Sequence, residues 1–403
     1  MKPGYKQTEV GVIPEDWDVS GLGRYWSVTD CKHVTADFVA NGYPLASIRE
    51  VQSRYVNLSE ANQTTANFYG QLIEGGRKPR AGDLILSRNA TVGEVAQVAD
   101  WHPPFAMGQD VCLLRKKSSA ISTDFLQSLF ASPIIEQQFA DLMVGSTFKR
   151  ANVEQIRNLT VPMPEPDEQN AIAEALSDAD ALIESLEQLL AKKRDLKQGA
   201  MQELLTGKRR LPGFDAIWTK KRLGEICEFG MGRTPSRLNQ RYWGPGFPWL
   251  SIADLKSKVA YESKEEITSH AAEGMQIISK GTLLMSFKLS IGRMCFAGRD
   301  LYTNEAICSF NKLRASAGFL YYVLGRTDFS VYGKQAVKGY TLNQESLSLV
   351  EVLLPPLDEQ EAIASVLEDL DEDIMSIETK LTKARQLKQG MMQELLTGRI
   401  RLI

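Results

Sequence analysis

Four short segments of this 403-residue chain place cations and amides directly beside apolar runs. "SRNATVG" (Ser87–Gly93) presents Arg88 and Asn89, and "SFKLSIG" (Ser286–Gly292) presents Lys288 at a matching point. "GSTFKRANVEQI" brings Lys149, Arg150 and Asn152, and "VKGYTLNQESL" brings Lys338, Tyr340 and Asn343. A fifth stretch, "FGMGRTPSRLNQRYWGPGFPWL", mixes Arg233, Arg237 and Arg241 with tyrosine, tryptophan and amides in a Gly/Pro-rich frame. Such side chains suit two tasks, neutralising phosphates and hydrogen-bonding base edges. Any one of these segments alone would read as a polar loop over a core. Recurrence in both halves of the chain is what points to a shared ligand. The candidate contacts are Arg88, Asn89, Lys149 and Arg150 in the first half, and Arg233, Arg237, Lys288, Lys338 and Tyr340 in the second.

Covalent chemistry finds no such support. "LLTGKRR" holds a Gly-Lys pair but lacks the first glycine of a phosphate loop. "HPPF" (His102–Phe105) resembles the [NDS]-P-P-[YF] element of amino-methyltransferases, yet histidine stands where that element needs its hydrogen-bonding residue. No methyl-donor loop accompanies it, so a turn leading into a strand is the better reading. Five cysteines and three histidines are scattered without metal or disulfide spacing, which predicts buried free thiols. The acidic clusters "SDAD" and "EDLDED" fall on amphipathic helices and read as solvated faces or protein contacts. The chain is therefore expected to be non-catalytic, with no cofactor or metal of its own.

The elements that must carry these loops are visible as a duplication. Shifting the sequence by 191 residues aligns 168–211 with 359–402 at 27 of 44 positions without a gap. Upstream the likeness survives as pattern, in "YPLASIREV" against "FPWLSIADL" and "GDLILSRNATVGEV" against "GTLLMSFKLSIGRM". The repeat is thus a variable part followed by a preserved one. The preserved part is helical: Ile363, Leu367, Leu370, Ile374, Ile377, Leu381 and Ala384 recur in steps of three and four, and Ile172, Leu176, Ala179, Ile183, Leu186 and Leu190 keep the register. Lys388 interrupts one stripe, and Lys193 and Lys197 the other.

Asp167 and Asp358 are expected as helix caps, with Glu361 completing a capping box, and Gly207 and Gly398 as left-handed ends. Gly199 and Gly390, mid-helix in both copies, suggest close approach of another backbone. Stripes of this length need a partner, and the other copy in the same chain supplies one, giving an intramolecular coiled coil. The variable parts mix strands such as "GDLILSR", "VCLLRK", "GTLLMSF" and "AICSF" with helices such as "STDFLQSLFASPIIEQQFADLM" and "AGFLYYVLGRTDFSVYGKQA".

Net charge is −3 with a pI near 5.9, which taken whole argues against nucleic acid. Its distribution changes that reading. Residues 212–350 carry 18 Lys+Arg against 12 Asp+Glu, whereas 351–403 carry 6 against 11. No apolar run is long enough for a membrane span, and "MKPGYKQTEVGVIPEDW" lacks a signal-peptide core, so a cytoplasmic protein is expected.

A doubled unit in which "P-x-x-DEQ" opens a long helix ending "LKQG-x-MQELLTG" resembles the specificity subunit of type I restriction-modification systems. The resemblance spans essentially the full chain. It implies an α+β fold with two globular α/β target recognition domains, at 1–160 and 212–350. Two spacer helices, within 161–211 and 351–403, would pack antiparallel as a coiled coil in a pseudo-twofold tandem repeat. It implies that each domain reads one half of an asymmetric, bipartite site on double-stranded DNA. Two methylation subunits would dock on the outer faces of the helices and restriction subunits would join them, with S-adenosylmethionine, ATP and Mg belonging to those partners. The contrasting reading is a coiled-coil adaptor whose ends bind proteins. It leaves the recurring basic loops unexplained.

Overall fold

The longest elements are the two repeated helices, α1 (Pro166–Leu204) and α2 (Leu357–Leu395), each of 39 residues and so about 58 Å long. The computed structural model describes residues 3–143, 150–288, 290–336 and 339–402. The chain divides into two units, residues 1–187 with 379–403, and residues 188–378. Each unit therefore holds one variable part, the first half of its own helix and the last half of the other copy's helix.

In the first unit, four strands lie in the order Trp26–Asp30, Val111–Lys116, Leu84–Ser87, Val95–Gln97, all antiparallel. A second sheet orders Ala106–Met107, Tyr43–Ala46, Gln63–Thr64 and Phe38–Val39. The second unit repeats the plan with Glu228–Met231, Ile307–Asn311, Leu283–Ser286 and Met294–Ala297, adding Val259–Ala260 at the edge. Its smaller sheet runs Glu265–Ile267, Trp243–Leu250, Tyr302–Thr303. All four expected strands are present. The segment 317–336 is shorter as a helix than its pattern suggested: it stops at Leu324, and Asp328 then caps a separate 3-10 turn.

Helix halves from both copies enter each core. In the first unit Ile172, Ala173 and Leu176 of α1 join Leu395 and Leu396 against Trp17, Trp26, Phe125 and Phe139. In the second, Ile363, Ala364 and Leu367 of α2 join Leu204 and Leu205 against Phe310, Phe319 and Tyr322. Inside each unit, ion pairs run between the two helices at positions related by the 191-residue shift. Arg385 with Glu187 (2.5 Å) in the first matches Arg194 with Glu378 (2.6 Å) in the second. Lys388 with Asp180 (2.5 Å) matches Lys197 with Asp371.

The lysines that interrupt the stripes are thus answered by carboxylates of the facing helix, and Lys193 meets Asp373 in the same way (2.6 Å). This corrects the reading of "SDAD" and "EDLDED" as solvated faces or contacts to another protein: Asp180, Asp371 and Asp373 face seam lysines of this chain. The close-approach reading of Gly199 and Gly390 is also corrected, because a Cβ at either would meet nothing within 4 Å. Asp167 and Asp358 lie inside the first helical turn rather than at the cap, where a carboxylate is still favoured by the helix dipole. Gly207 (φ +68°) and Gly398 (φ +65°) do end the helices in the left-handed region.

The preserved "DEQ" motif is explained by packing. Glu168, 1% exposed, accepts from Arg401 (2.6 and 2.8 Å) and from Trp17 Nε1 (2.9 Å). Glu359, fully buried, accepts from Arg210 (2.5 and 2.6 Å) and from Trp218 Nε1 (3.1 Å). Gln169 and Gln360 each tie a helix start to the variable part of their own unit, accepting from Ser122 N and Ser316 N, both at 2.9 Å. In each unit the motif opening one helix therefore holds the tail that follows the other.

Candidate nucleic-acid interface

The loops singled out by their cations converge on one end of each four-strand arrangement. In the first unit Arg88 N donates to Asp110 O (2.8 Å) and Ala151 N donates to Arg88 O (2.9 Å). In the second, Phe287 N donates to Ala306 O (3.0 Å) and Leu342 N donates to Phe287 O (3.1 Å). The two loops are therefore pinned identically, with Arg88 equivalent to Phe287 and Asn89 equivalent to Lys288. The sequence pattern places Lys288 opposite Arg88 and Asn89 together; the backbone bonds assign it to Asn89.

That register decides which side chains reach the surface. Asn89 is partly exposed and bridges to Arg150, which is exposed and 3.8 Å from Asp110 Oδ1. Arg88 does not present its guanidinium: it is 2% exposed, with Nη2 2.5 Å from Asp30 Oδ1. Its Nε has no hydrogen-bond partner among the described residues. Asp30, Cys31 and His33 have ligand atoms close enough for a metal ion. The Arg88 cation already on Asp30 opposes a second positive charge there.

Asp30 pairs with Cys112 across the sheet, and Met231 pairs with Cys308 at the equivalent place. The Asp30 and Arg88 pair of one unit is thus replaced in the other by Met231 and Phe287, the second in its apolar core and the first packed against that core. We expect Arg88→Phe alone to destabilise the protein by about 1–3 kcal/mol, because Asp30 loses its counter-charge. Adding Asp30→Met should recover most of that loss, a coupling measurable by denaturant unfolding of the two single variants and the double variant.

In the second unit Arg233 is exposed, and its backbone N–H is bonded to Thr303 O (2.9 Å). Arg237 is exposed too, yet committed to its own loop: it grips Glu265 through two bonds (2.5 and 2.9 Å) and stacks 3.8 Å above the Trp243 ring. The Glu265 carboxyl is held below the usual range by that bond. Arg237 shapes the loop that carries Arg233, Arg241 and the almost fully exposed Leu238. Lys288 is half-buried, its Nζ 5.3 Å from the Phe287 ring centroid. Tyr340 lies in the strand Gly339–Thr341, paired with Gln335. Lys149 and Lys338 lie outside the described residues.

Two residues of this face escaped sequence reasoning. Glu305, exposed, accepts a hydrogen bond from Thr234 Oγ1, which lowers its carboxyl pKa, and the nearby Lys288 and Arg237 charges add to that effect. Gln109 is its exposed counterpart. Neither adjoins a cationic cluster in the sequence; only the pairing of Trp249 with Tyr302, and of Leu45 with Ala106, aligns them. The His102–Phe105 turn holds no site: His102 Nε2 is 2.7 Å from Val56 O and Phe105 is buried ahead of a strand.

A second recurring surface flanks the helices. A groove of about 1000 Å³ in the first unit includes Asp180, Ile183, Lys388 and Met392. One of about 430 Å³ in the second includes Asp371, Ile374, Lys197 and Met201. These are the same four positions in the two copies.

The type I restriction modification DNA specificity domain matches the chain twice, over residues 42–192 and 217–386. The chain belongs to that family. The type I restriction enzyme MjaIX specificity subunit of Methanocaldococcus jannaschii is 21% identical over 427 residues, covering 99% of this chain and 96% of the relative. Among solved structures, the S subunit of a type I restriction-modification system from M. genitalium superposes with a TM-score of 0.60 at 16% identity, covering 98% of this chain and 99% of the other. A chain from a study of complex assembly and conformational transition in the type I system gives 0.57 at 18%, covering 96% and 99%. The protein is a DNA specificity subunit of the type I family, a role in recognition rather than catalysis. Among the described residues, no helix is long and apolar enough to cross a membrane.

Proposed function

We propose that each unit reads one half of an asymmetric, bipartite site on double-stranded DNA, through the loops around Asn89 and Arg150 in one and around Arg233 and Lys288 in the other. The observation that carries this is an identical backbone frame bearing different side chains: Asn89 where the second unit has Lys288, Gln109 where it has Glu305. Equal frames with unequal side chains specify unequal half-sites. The helices, shared between the two units, fix how many unread base pairs separate the halves.

Two methylation subunits dock on this framework, one at each of the matching helix grooves, because equal surfaces recruit equal partners. Restriction subunits complete the assembly, and S-adenosylmethionine, ATP and Mg act in those partners. Filter binding of the complex with methylation subunits to duplex DNA, titrated with salt, tests the reading. A steep fall of log affinity with log salt, together with one bipartite methylated motif in host DNA, is the expected result. Salt-independent binding, or methylation without a shared motif, would overturn it.

A further inference from the structure

We infer that the apex of the short turn preceding the central strand of each unit is a base-reading position. Glu305 there accepts a hydrogen bond from the exocyclic amino group of cytosine, and Gln109 pairs with the edge of adenine. The inference rests on the DNA-reading function proposed above and assigns the chemistry at one point of each half-site.

The turn is built to hold its apex still. Asn304 N donates to Leu250 O (2.9 Å), Arg233 N to Thr303 O (2.9 Å), and Phe287 N to Ala306 O (3.0 Å). Loop 232–237 and the loop after Ser286 therefore clasp 303–306 from two sides, leaving Glu305 exposed between them. In the first unit Gly108 N donates to Ala46 O (2.8 Å) and Arg88 N to Asp110 O (2.8 Å), fixing Gln109 in the same way. Asp110 takes φ +63°, a left-handed conformation that turns the chain there.

Charge then argues for a specific role. A carboxylate on a surface facing phosphates weakens general attraction, so it is useful there only where it meets a donor. Glu305 accepts from the Thr234 hydroxyl and from its own backbone N–H, and of the nearby Lys288 and Arg237 charges the guanidinium is committed to Glu265. Carboxylate oxygens accept about four hydrogen bonds, so capacity remains. In the major groove cytosine N4 is the donor that suits a Glu acceptor, while the O6 and N7 of guanine would be repelled. Gln109 carries the donor and acceptor pair that matches adenine N6 and N7.

The test uses the complete complex with its methylation subunits on a library of duplexes randomised at each motif position, with thermal unfolding of every variant. Glu305→Ala should lower discrimination at one base pair of one half-site by roughly 5- to 150-fold, leaving the other half-site intact. Gln109→Ala should do the same in the opposite half. Glu305→Gln keeps the Thr234 acceptor and should shift preference at that base pair towards adenine. Thr234→Val keeps the carboxylate and should leave the preference unchanged. Unaltered preference in Glu305→Gln and Glu305→Ala, or a uniform loss of binding to every duplex with normal unfolding, would overturn the inference. Should Glu305→Ala unfold early, Glu305→Gln decides alone. A wild-type complex that selects no motif would instead sink the DNA-reading function itself.

Discussion

Replacing Glu168 with alanine is expected to lower the unfolding free energy of the first unit by about 3 kcal/mol, near the bottom of the range for breaking a buried pair because Arg401 is partly exposed. The carboxylate is 1% exposed and takes three hydrogen bonds, two from Arg401 and one from Trp17. Its loss strands the indole N–H and leaves Arg401, itself 24% exposed, with Asp16 alone. Those bonds also raise the guanidinium pKa of Arg401, so that side chain stays charged at any working pH. For a unit of this size the melting temperature should fall by roughly 6–12 °C. Calorimetry would show that shift in the transition containing Trp17, with the second unit's transition in place. A change below 1 °C would mean the tail is held by its apolar contacts alone.

The second large effect concerns spacing. Inserting one heptad after Glu187 in α1 and one after Glu378 in α2 preserves the apolar stripes and lengthens each helix by about 10 Å. The methylated motif should then keep both half-sites and gain about three unread base pairs between them, given about 34 Å per turn of 10 base pairs. Mapping of methylated bases in host DNA reads this directly. An unchanged gap would show that the helices do not set the separation.

The preserved helices were legible because a periodic stripe is a local property. Ile363, Leu367 and Leu370 announce a buried face by spacing alone, and Gly207 and Gly398 announce their ends, since a left-handed residue after a helix favours glycine wherever it occurs. The doubling was legible for the same reason, as direct repetition of residues. What Lys193, Lys197 and Lys388 do in the stripe was not, because their carboxylate partners sit on the facing helix, 174 to 208 residues away in sequence.

The recognition face shows the boundary more sharply. Residue type located the right loops, but not the right side chains within them. Arg88 and Asn89 are neighbours, and a strand's two-residue alternation sends one inward to Asp30 and the other outward. Only the backbone hydrogen bonds that Arg88 donates to Asp110 and accepts from Ala151 fix which is which. Arg237 is likewise a cation by sequence and a loop clamp by structure, because Glu265 and Trp243 meet it from another strand pair. Composition and periodicity therefore determined a doubled α+β chain with paired helices and basic loops. The tertiary fold decided which side chains of those loops face out, since exposure depends on pairing between strands that local spacing does not encode.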